Sequence, residues 1–470
     1  MTMISRHSIR ALCGASILAL TLAAGPVLAD SIFTPTSDVF EGSVNAGAAE
    51  RGAPVYPGSE AVLSGEGLTP GQQITLMRGT TVLNADGPLT VDDEGKVSFA
   101  LTVDDEAATG VHPIVVIAEN PAAATVAELK VSPQVPLSGE ADFAIESQPV
   151  TRGLYQVAHS PESGALFVTA AVGRPPVTES ALVKIDPDTL ETVASVTPEA
   201  APARPDGSDG GLFAVYGVDV DDENGNVWVT NTRQNTASVY SQDDLSLVRQ
   251  FEPGAVPHPR DVVIDQARGR AYMSTSFEPQ LEVFDINTLE QLDPIEITST
   301  IRRSQFGARS ADLDIESGKL FSVSISTPEV AVIDLESGDV RVLQVGRLLA
   351  GSDSAYDREE GLIFVVGQGS DNLLIVDEES GEVLHDVPVG ANPLSVTFDP
   401  VGRLAYVAVR GADRLTVVDT DGQIVANLDG GSYPNQIRIL GDGAVYAINK
   451  SRGEDDARGD RISRIRPAAE

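Results

Sequence analysis

Few side-chain types in this chain could do chemistry. The one cysteine, Cys13, lies in the first 29 residues, which read as a leader, so no disulfide, thiolate metal site or cysteine nucleophile is expected beyond it. His112, His159, His258 and His385 lie far apart without zinc-type spacing. They read as surface or half-buried side chains, except that His258, close to Arg260, is kept as a binding candidate. The run Asp219-Val220-Asp221-Asp222-Glu223-Asn224-Gly225-Asn226 offers the hard oxygen donors that calcium takes. Equivalent runs recur at Asp399-Pro400-Val401-Gly402 and from Asp357 to Gly361, and tight turns favour Asp, Asn and Gly without a metal. The run is therefore read as a turn. No spacing supports a Ser-His-Asp nucleophile, and no metal or cofactor is expected.

Arginines and amides are more informative once the elements that carry them are known. From residue 150 onward a unit recurs: an apolar strand ending near an acid, a Gly-containing turn, a strand with an aromatic residue, a variable loop, a strand often ending in Asp, and a last strand. The aromatics Phe167, Trp228, Tyr272, Phe321, Phe364, Tyr406 and Tyr446 are spaced by 61, 44, 49, 43, 42 and 40 residues. Asp186, Asp285, Asp334, Asp377 and Asp419 repeat in phase with them. Short alternating strands with Gly/Asp/Asn turns predict hairpins, and four strands per period of about 40 residues predict propeller blades. The expected fold is all-β: a seven-bladed β-propeller over residues 140–470. Its last unit lacks a fourth strand, which Asp142-Phe143-Ala144-Ile145-Glu146 is expected to supply, closing the ring and removing a sheet edge.

In a propeller, the loops entering each first strand and those between second and third strands crowd one face around the channel. Those positions hold Arg152, Arg174, Tyr216, Asn231, Arg233, His258, Arg260, Arg309, Asp353, Gln368, Asn392, Arg410, Asn435 and Asn449. Arginine's planar donor fork suits carboxylate or phosphate, so the expectation is a channel mouth that binds a small anion. Arg260, Arg309 and Arg410, from three blades, would be its centre. The competing expectation is that these side chains pair with neighbouring acids.

The units resemble the YVTN-repeat, YncE-like family of bacterial propellers. Val227-Trp228-Val229-Thr230-Asn231 is close to the family's naming motif, with Trp in place of Tyr, while Ala405-Tyr406-Val407-Ala408-Val409 and Thr416-Val417-Val418-Asp419-Thr420 match its second and third strands. The resemblance covers residues 140–470, and its motifs specify a blade rather than a ligand. It implies a binding or interaction protein of the cell envelope, taking a small ligand or a partner protein. Related propellers also include lactonases and subunits of quinone-dependent dehydrogenases; a lactonase-like metal site here would draw on Asp353, Asn392 and Asn435. A metallochaperone role finds no support in scattered histidines and absent cysteine.

Upstream, residues 55–132 carry short strands separated by Pro70-Gly71, Asp86-Gly87-Pro88 and Asp93-Glu94-Gly95. With Gly65-Glu66-Gly67-Leu68-Thr69-Pro70-Gly71, they resemble a small Ig-like β-sandwich. Residues 133–139 read as a linker and 30–54 as a flexible segment. Arg6 and Arg10, the apolar run Ile17-Leu18-Ala19-Leu20-Thr21-Leu22 and Val27-Leu28-Ala29 form a Sec-type signal pattern, with cleavage expected after Ala29. A periplasmic or secreted monomer, without membrane insertion after cleavage, is the expectation. The chain has 32 basic and 69 acidic residues and a net charge of −37; loss of Arg6 and Arg10 would take it to about −39. Such a surface repels nucleic acid and anionic lipid.

Overall fold

The computed structural model describes residues 36–37, 39–440 and 443–468; the expected leader, 1–29, lies outside them. Among the described residues seven four-stranded antiparallel sheets follow one another. Their first strands are Leu154–Ser160, Val218–Asp221, Val262–Asp265, Asp312–Asp314, Gly351–Asp357, Pro393–Asp399 and Pro434–Ile439; the sheets are called blades one to seven in that order. Each first strand packs against the next, and the seventh packs against the first, so the sheets form a ring with the first strands innermost.

The repeating aromatics hold this ring together. Each lies on the second strand of its blade and is buried. Phe167 joins the apolar cluster between blades one and two, Trp228 that between two and three, and Tyr272 that between three and four. Phe321, Phe364 and Tyr406 continue the series. Tyr446 packs with Leu154, Val168 and Val183 of blade one, so the series returns to its start. Large aromatic side chains suit this role because each buries roughly 150–250 Å².

The repeating aspartates have a different task. Asp186 Oδ1 accepts the N–H groups of Asp188 and Thr189 at 2.8 and 3.0 Å. Asp285 does the same for Asn287 and Thr288 at 2.9 and 3.0 Å, and Asp334 for Glu336 and Ser337 at 2.9 and 2.8 Å. They close the turns between third and fourth strands, and the donated N–H groups hold their carboxyls below the usual range. Of the run Asp219–Asn226, Asp219–Asp221 end the first strand of blade two, Asn226 begins its second, and the turn between them is held in the same way. Asp221 accepts from Asn224 N and Nδ2 at 3.2 and 2.9 Å, and Asp222 Oδ1 from Gln242 Nε2 at 2.8 Å.

Blade seven takes its fourth strand from the other end of the domain. Phe143–Pro149 pairs antiparallel with Arg461–Pro467, from Arg461↔Pro149 to Pro467↔Phe143. The strand differs from the expected 142–146: Asp142 ends a short 3-10 turn, Glu140–Asp142, and pairing continues to Pro149 because the chain stays extended until it enters blade one. Arg464 binds Glu146 across the pair.

Residues 43–131 form two further sheets. Ser43–Gly47, Glu60–Glu66 and Val97–Thr102 make one; Gln73–Arg78, Thr81–Val82, Leu89–Thr90, Gly110–Glu119 and Ala123–Val131 make the other. Ala61, Leu63, Ile74, Leu76, Ile114, Val116 and Leu129 form their shared core. The segment 30–54 was expected to be flexible, yet Ser43–Gly47 is a strand paired with Glu60–Glu66. The reason is apolar: Phe40, Val44, Ala46 and Ala48 pack onto the core, a signal diluted by the Gly/Ala-rich composition around it.

This module docks on the propeller. Lys130 Nζ donates to Asp371 Oδ1 at 2.7 Å, Asn392 Oδ1 at 2.5 Å and the Gln368 carbonyl at 3.0 Å. The connecting segment is fixed too, since Asn427 Nδ2 donates to the carbonyls of Val135 and Pro136 at 2.9 and 3.1 Å. No helix among the described residues is long and apolar enough to cross a membrane.

Deleting residues 143–149 should uncover Arg461–Pro467 as a sheet edge and leave Tyr446 in an incomplete blade. The expected result is a fall in melting midpoint of more than about 10 °C with self-association on size-exclusion chromatography. A deletion variant that melts and elutes like the parent would show that the ring needs no closing strand.

Candidate functional site

The inner strands and the loops at one end of the ring enclose two stacked cavities. The upper, about 200 Å³, is lined by Tyr155, Tyr216, Arg233, His258, Arg260, Arg309 and Asn435, among others. The lower, about 270 Å³, is lined by Asp261, Asp312, Asp353, Gln436 and Arg438, among others. Gln156 borders both, and its Nε2 donates to Asp261 Oδ1 at 2.6 Å.

Arg260 divides the two cavities. Its guanidinium donates to Asp261 Oδ2 at 2.9 Å, and reaches over the channel to the carbonyls of Ser352 at 2.9 Å and Leu394 at 3.3 Å. It is therefore a paired, structural arginine, a correction to its expected place at the centre of an anion site. Arg309 is different. Among the described residues it forms no ion pair, its buried Nε has no hydrogen-bond partner, and its NH1 has only a long contact to Ser276 Oγ at 3.4 Å. Burial and the neighbouring Arg260 pull its pKa down to about 10, against Asp261 and Asp353, so it is a cation at neutral pH.

Further cations surround the mouth. Arg233 Nε donates to Tyr216 OH at 3.2 Å, and the Tyr216 ring meets Tyr155 edge-on at 4.2 Å. Arg410 donates to Asn435 Oδ1 at 2.5 Å and lies 4.8 Å over the Tyr433 ring, while Asn435 Nδ2 donates to the Tyr155 carbonyl at 2.8 Å. His258 packs on Phe277 at 5.1 Å; burial, then Arg309 and Arg233, hold its pKa below the usual value, so it stays neutral at pH 7. Lys450 Nζ sits 3.4 Å from the Tyr155 ring centroid. It was missing from the expected set, although it follows the second strand of blade seven just as Arg410 follows that of blade six.

Other expected residues lie elsewhere. Asn231 is buried inside blade two, where its Oδ1 accepts from Ser238 Oγ at 2.6 Å. Asn449 donates to the carbonyls of Gly430 and Arg458 at 3.1 and 2.8 Å. Both amides serve loops, since a strand end inside a blade has backbone groups to satisfy. Gln368 and Asn392 lie under the N-terminal module, held by Lys130. Arg174 is exposed and does not line either cavity, and Arg152 pairs with Glu179 at 2.9 Å. Asp353 lines the lower cavity, Asn435 the upper and Asn392 neither, so the trio considered for a lactonase-like metal does not converge. The histidines are likewise apart: His112 bonds the Ala108 carbonyl at 2.7 Å, while His159 and His385 lie on the first strand of blade one and the fourth of blade five. Among the described residues no group of three or more His, Cys, Asp or Glu could hold a metal ion.

No family model matches the chain. It is 23% identical over 325 residues to the uncharacterized protein YncE of Salmonella typhimurium, covering 66% of this chain and 86% of that one. With the YncE of Escherichia coli K12 the identity is 22% over 319 residues, covering 64% and 83%. Among solved structures, hydrazine synthase of Kuenenia stuttgartiensis superposes with a TM-score of 0.50 at 18% identity, over 63% of this chain and 92% of that one. A streptogramin B lyase does so with a TM-score of 0.52 at 12% identity, over 70% and 99%. At such identities the structural likeness concerns the fold alone.

The lower cavity has its own electrostatics. Burial, then Asp353, pushes the Asp312 carboxyl up to about 7. Burial also raises Asp353 to about 6, with Arg260 opposing and Asp261 adding to the rise. An unfolded aspartate titrates near about 3.9. Between that value and about 7 the folded chain holds protons the unfolded chain has released, so these groups lose stability for the fold as pH rises through that window. Asp312→Asn is expected to raise the melting midpoint at about pH 8 and to change it little at about pH 4. A pH-independent effect in the same melts would contradict this account of the channel.

Proposed function

We propose that this chain, a β-propeller of the YncE-like group, is an exported cell-envelope protein that binds a small anionic ligand at the channel mouth. The observation that carries the reading is Arg309. A half-buried guanidinium with its Nε buried and unbonded and no carboxylate partner costs stability, and here it faces a cavity in a chain of net charge −37. Arg233 and Arg410 extend the same positive region; among the described residues neither is within an ion pair, and their contacts are to Tyr216, Asn435 and Tyr433. Low-dielectric walls focus such a potential, while the acidic exterior turns large polyanions away.

The ligand class follows from the donors. Guanidinium forks and the amide of Asn435 fit carboxylate or phosphate oxygens, and Tyr155 and Tyr216 offer ring surface to a short apolar part. A cavity of about 200 Å³ admits a small molecule, not a folded partner. The export reading rests on the signal-like pattern of residues 1–29.

Calorimetry of the mature protein against small mono- and dicarboxylates and phosphate esters tests the reading. A charge-assisted contact contributes about 1.5–3 kcal/mol, so Arg309→Met should weaken binding roughly tenfold to a hundredfold without lowering the melting midpoint. Absence of binding across the panel, or unchanged affinity in Arg309→Met, would overturn it.

A further inference from the structure

One histidine is held between two unpaired guanidiniums at the channel mouth. Arg233 lies in the loop between the second and third strands of blade two, and Arg309 in the segment entering blade four. His258, in the segment entering blade three, comes between them in the ring, and all three line the upper cavity. Two contacts fix its position. His258 N donates to Asn235 Oδ1 at 2.9 Å, in the loop that carries Arg233. On the other side its ring packs at 5.1 Å on Phe277, whose neighbour Ser276 receives the long contact from Arg309. The backbone of His258 is left-handed, with a φ of 44°, a conformation that a bulky residue keeps only where its surroundings impose it. The residue is half-buried, and neither ring nitrogen has a hydrogen-bond partner among the described residues.

We infer that the ligand of this mouth is a small dianion, and that His258 binds it as a third cation, taking up a proton as the dianion enters. The inference rests on the anion-binding reading above and narrows its ligand class. Charge balance gives the valence. Arg260 is cancelled by Asp261, whereas Arg233 and Arg309 are in no ion pair among the described residues, so the cavity wall carries two uncompensated positive charges. A monoanion leaves one of them in place; a dianion answers both. The same balance governs the proton. An ordinary imidazole titrates near about 6.5 and is mostly neutral at about pH 7.5, and two guanidiniums on one cavity wall oppose a third positive charge there. Burial, then Arg309 and Arg233, hold the His258 pKa lower still. The other charged groups on the surrounding loops are Asp261, paired with Arg260, and Glu278, which accepts from Gln305 Nε2 at 3.4 Å. The Tyr155 and Tyr216 phenols, raised chiefly by burial, stay neutral. A bound dianion cancels the two guanidiniums and offers an acceptor to the imidazole, so the protonated ring becomes the favoured form.

Calorimetry of the mature protein at about pH 7.5 tests both halves, with ligands that do not titrate there: sulfate against methanesulfonate, and succinate against propionate. In at least one pair the dianion should bind at least about tenfold tighter than the monoanion. Which pair does so separates a tetrahedral oxyanion, such as a phosphate group, from a dicarboxylate. Repeating the titration in buffers of different ionisation enthalpy should show uptake of about half a proton or more per dianion. His258→Asn, which tolerates a positive φ, should keep the melting midpoint, bind the dianion about tenfold more weakly and lose that uptake. Equal affinity for dianion and monoanion, no uptake by the unaltered protein, or uptake that persists in His258→Asn would overturn the inference and leave the anion-binding reading standing. Failure of all these anions to bind would sink both.

Discussion

Each blade of this protein is completed by its neighbour, and the aromatic residue on the second strand is where that dependence is concentrated. A four-stranded sheet has two faces to bury, and a single blade has nothing of its own to cover them. Phe167, Trp228, Tyr272, Phe321, Phe364, Tyr406 and Tyr446 each fill the gap to the next blade. Because Tyr446 packs against blade one, the stack has no free face. Pairing of Phe143–Pro149 with Arg461–Pro467 then binds the two ends of the ring in one sheet, so opening the ring at that joint requires breaking both a strand pair and an apolar cluster.

Such closure decides what the channel can be. The first strands converge, so polar side chains on them are forced together whatever their charge. Below the level of Arg260, Asp261, Asp312 and Asp353 share one cavity, where burial first, and the neighbouring carboxylates after it, raise the pKa of Asp312 and Asp353. Above it Arg233 and Arg309 line the upper cavity, with Arg410 held beside it through Asn435. Arg260 and Asp261 sit at the boundary and cancel one another, which leaves opposite potentials on the two sides of one ion pair. The N-terminal module takes a further set of polar groups out of play, because Lys130 engages Gln368, Asp371 and Asn392.

Much of the fold is legible in the sequence because its determinants are periodic. The aromatic and the turn aspartate recur in phase, and both have local physical causes: one buries area between blades, the other satisfies N–H groups in a turn. Determinants that are not periodic are harder to read. Ser43–Gly47 is a strand because Val44 and Ala46 meet a core built from residues far along the chain, and the closing strand extends to Pro149 rather than Glu146 because its length is set by its partner. The site divides in the same way. Tyr216, Arg233, His258, Arg309 and Asn435 line the mouth as their blade positions imply, and Arg410 joins them through Asn435. Asn231 and Asn449 do not, since an amide at a strand end can turn inward to the blade as readily as outward to the channel. Gln368 and Asn392 are taken by a lysine more than 200 residues away, a contact with no local sequence signal. Lys450 did carry a signal, its blade position being that of Arg410.

The central claim is that a chain with net charge −37 keeps a positive, ligand-accepting mouth above Arg260. Crystals of the mature protein soaked in bromide and measured at the bromine absorption edge test it most directly, because the anomalous signal locates a small anion without assuming its natural identity. The account predicts a bromide peak in the upper cavity, in contact with Arg309 and lost in an Arg309→Met crystal. Bromide found only on the outer surface, with the upper cavity empty, would contradict it.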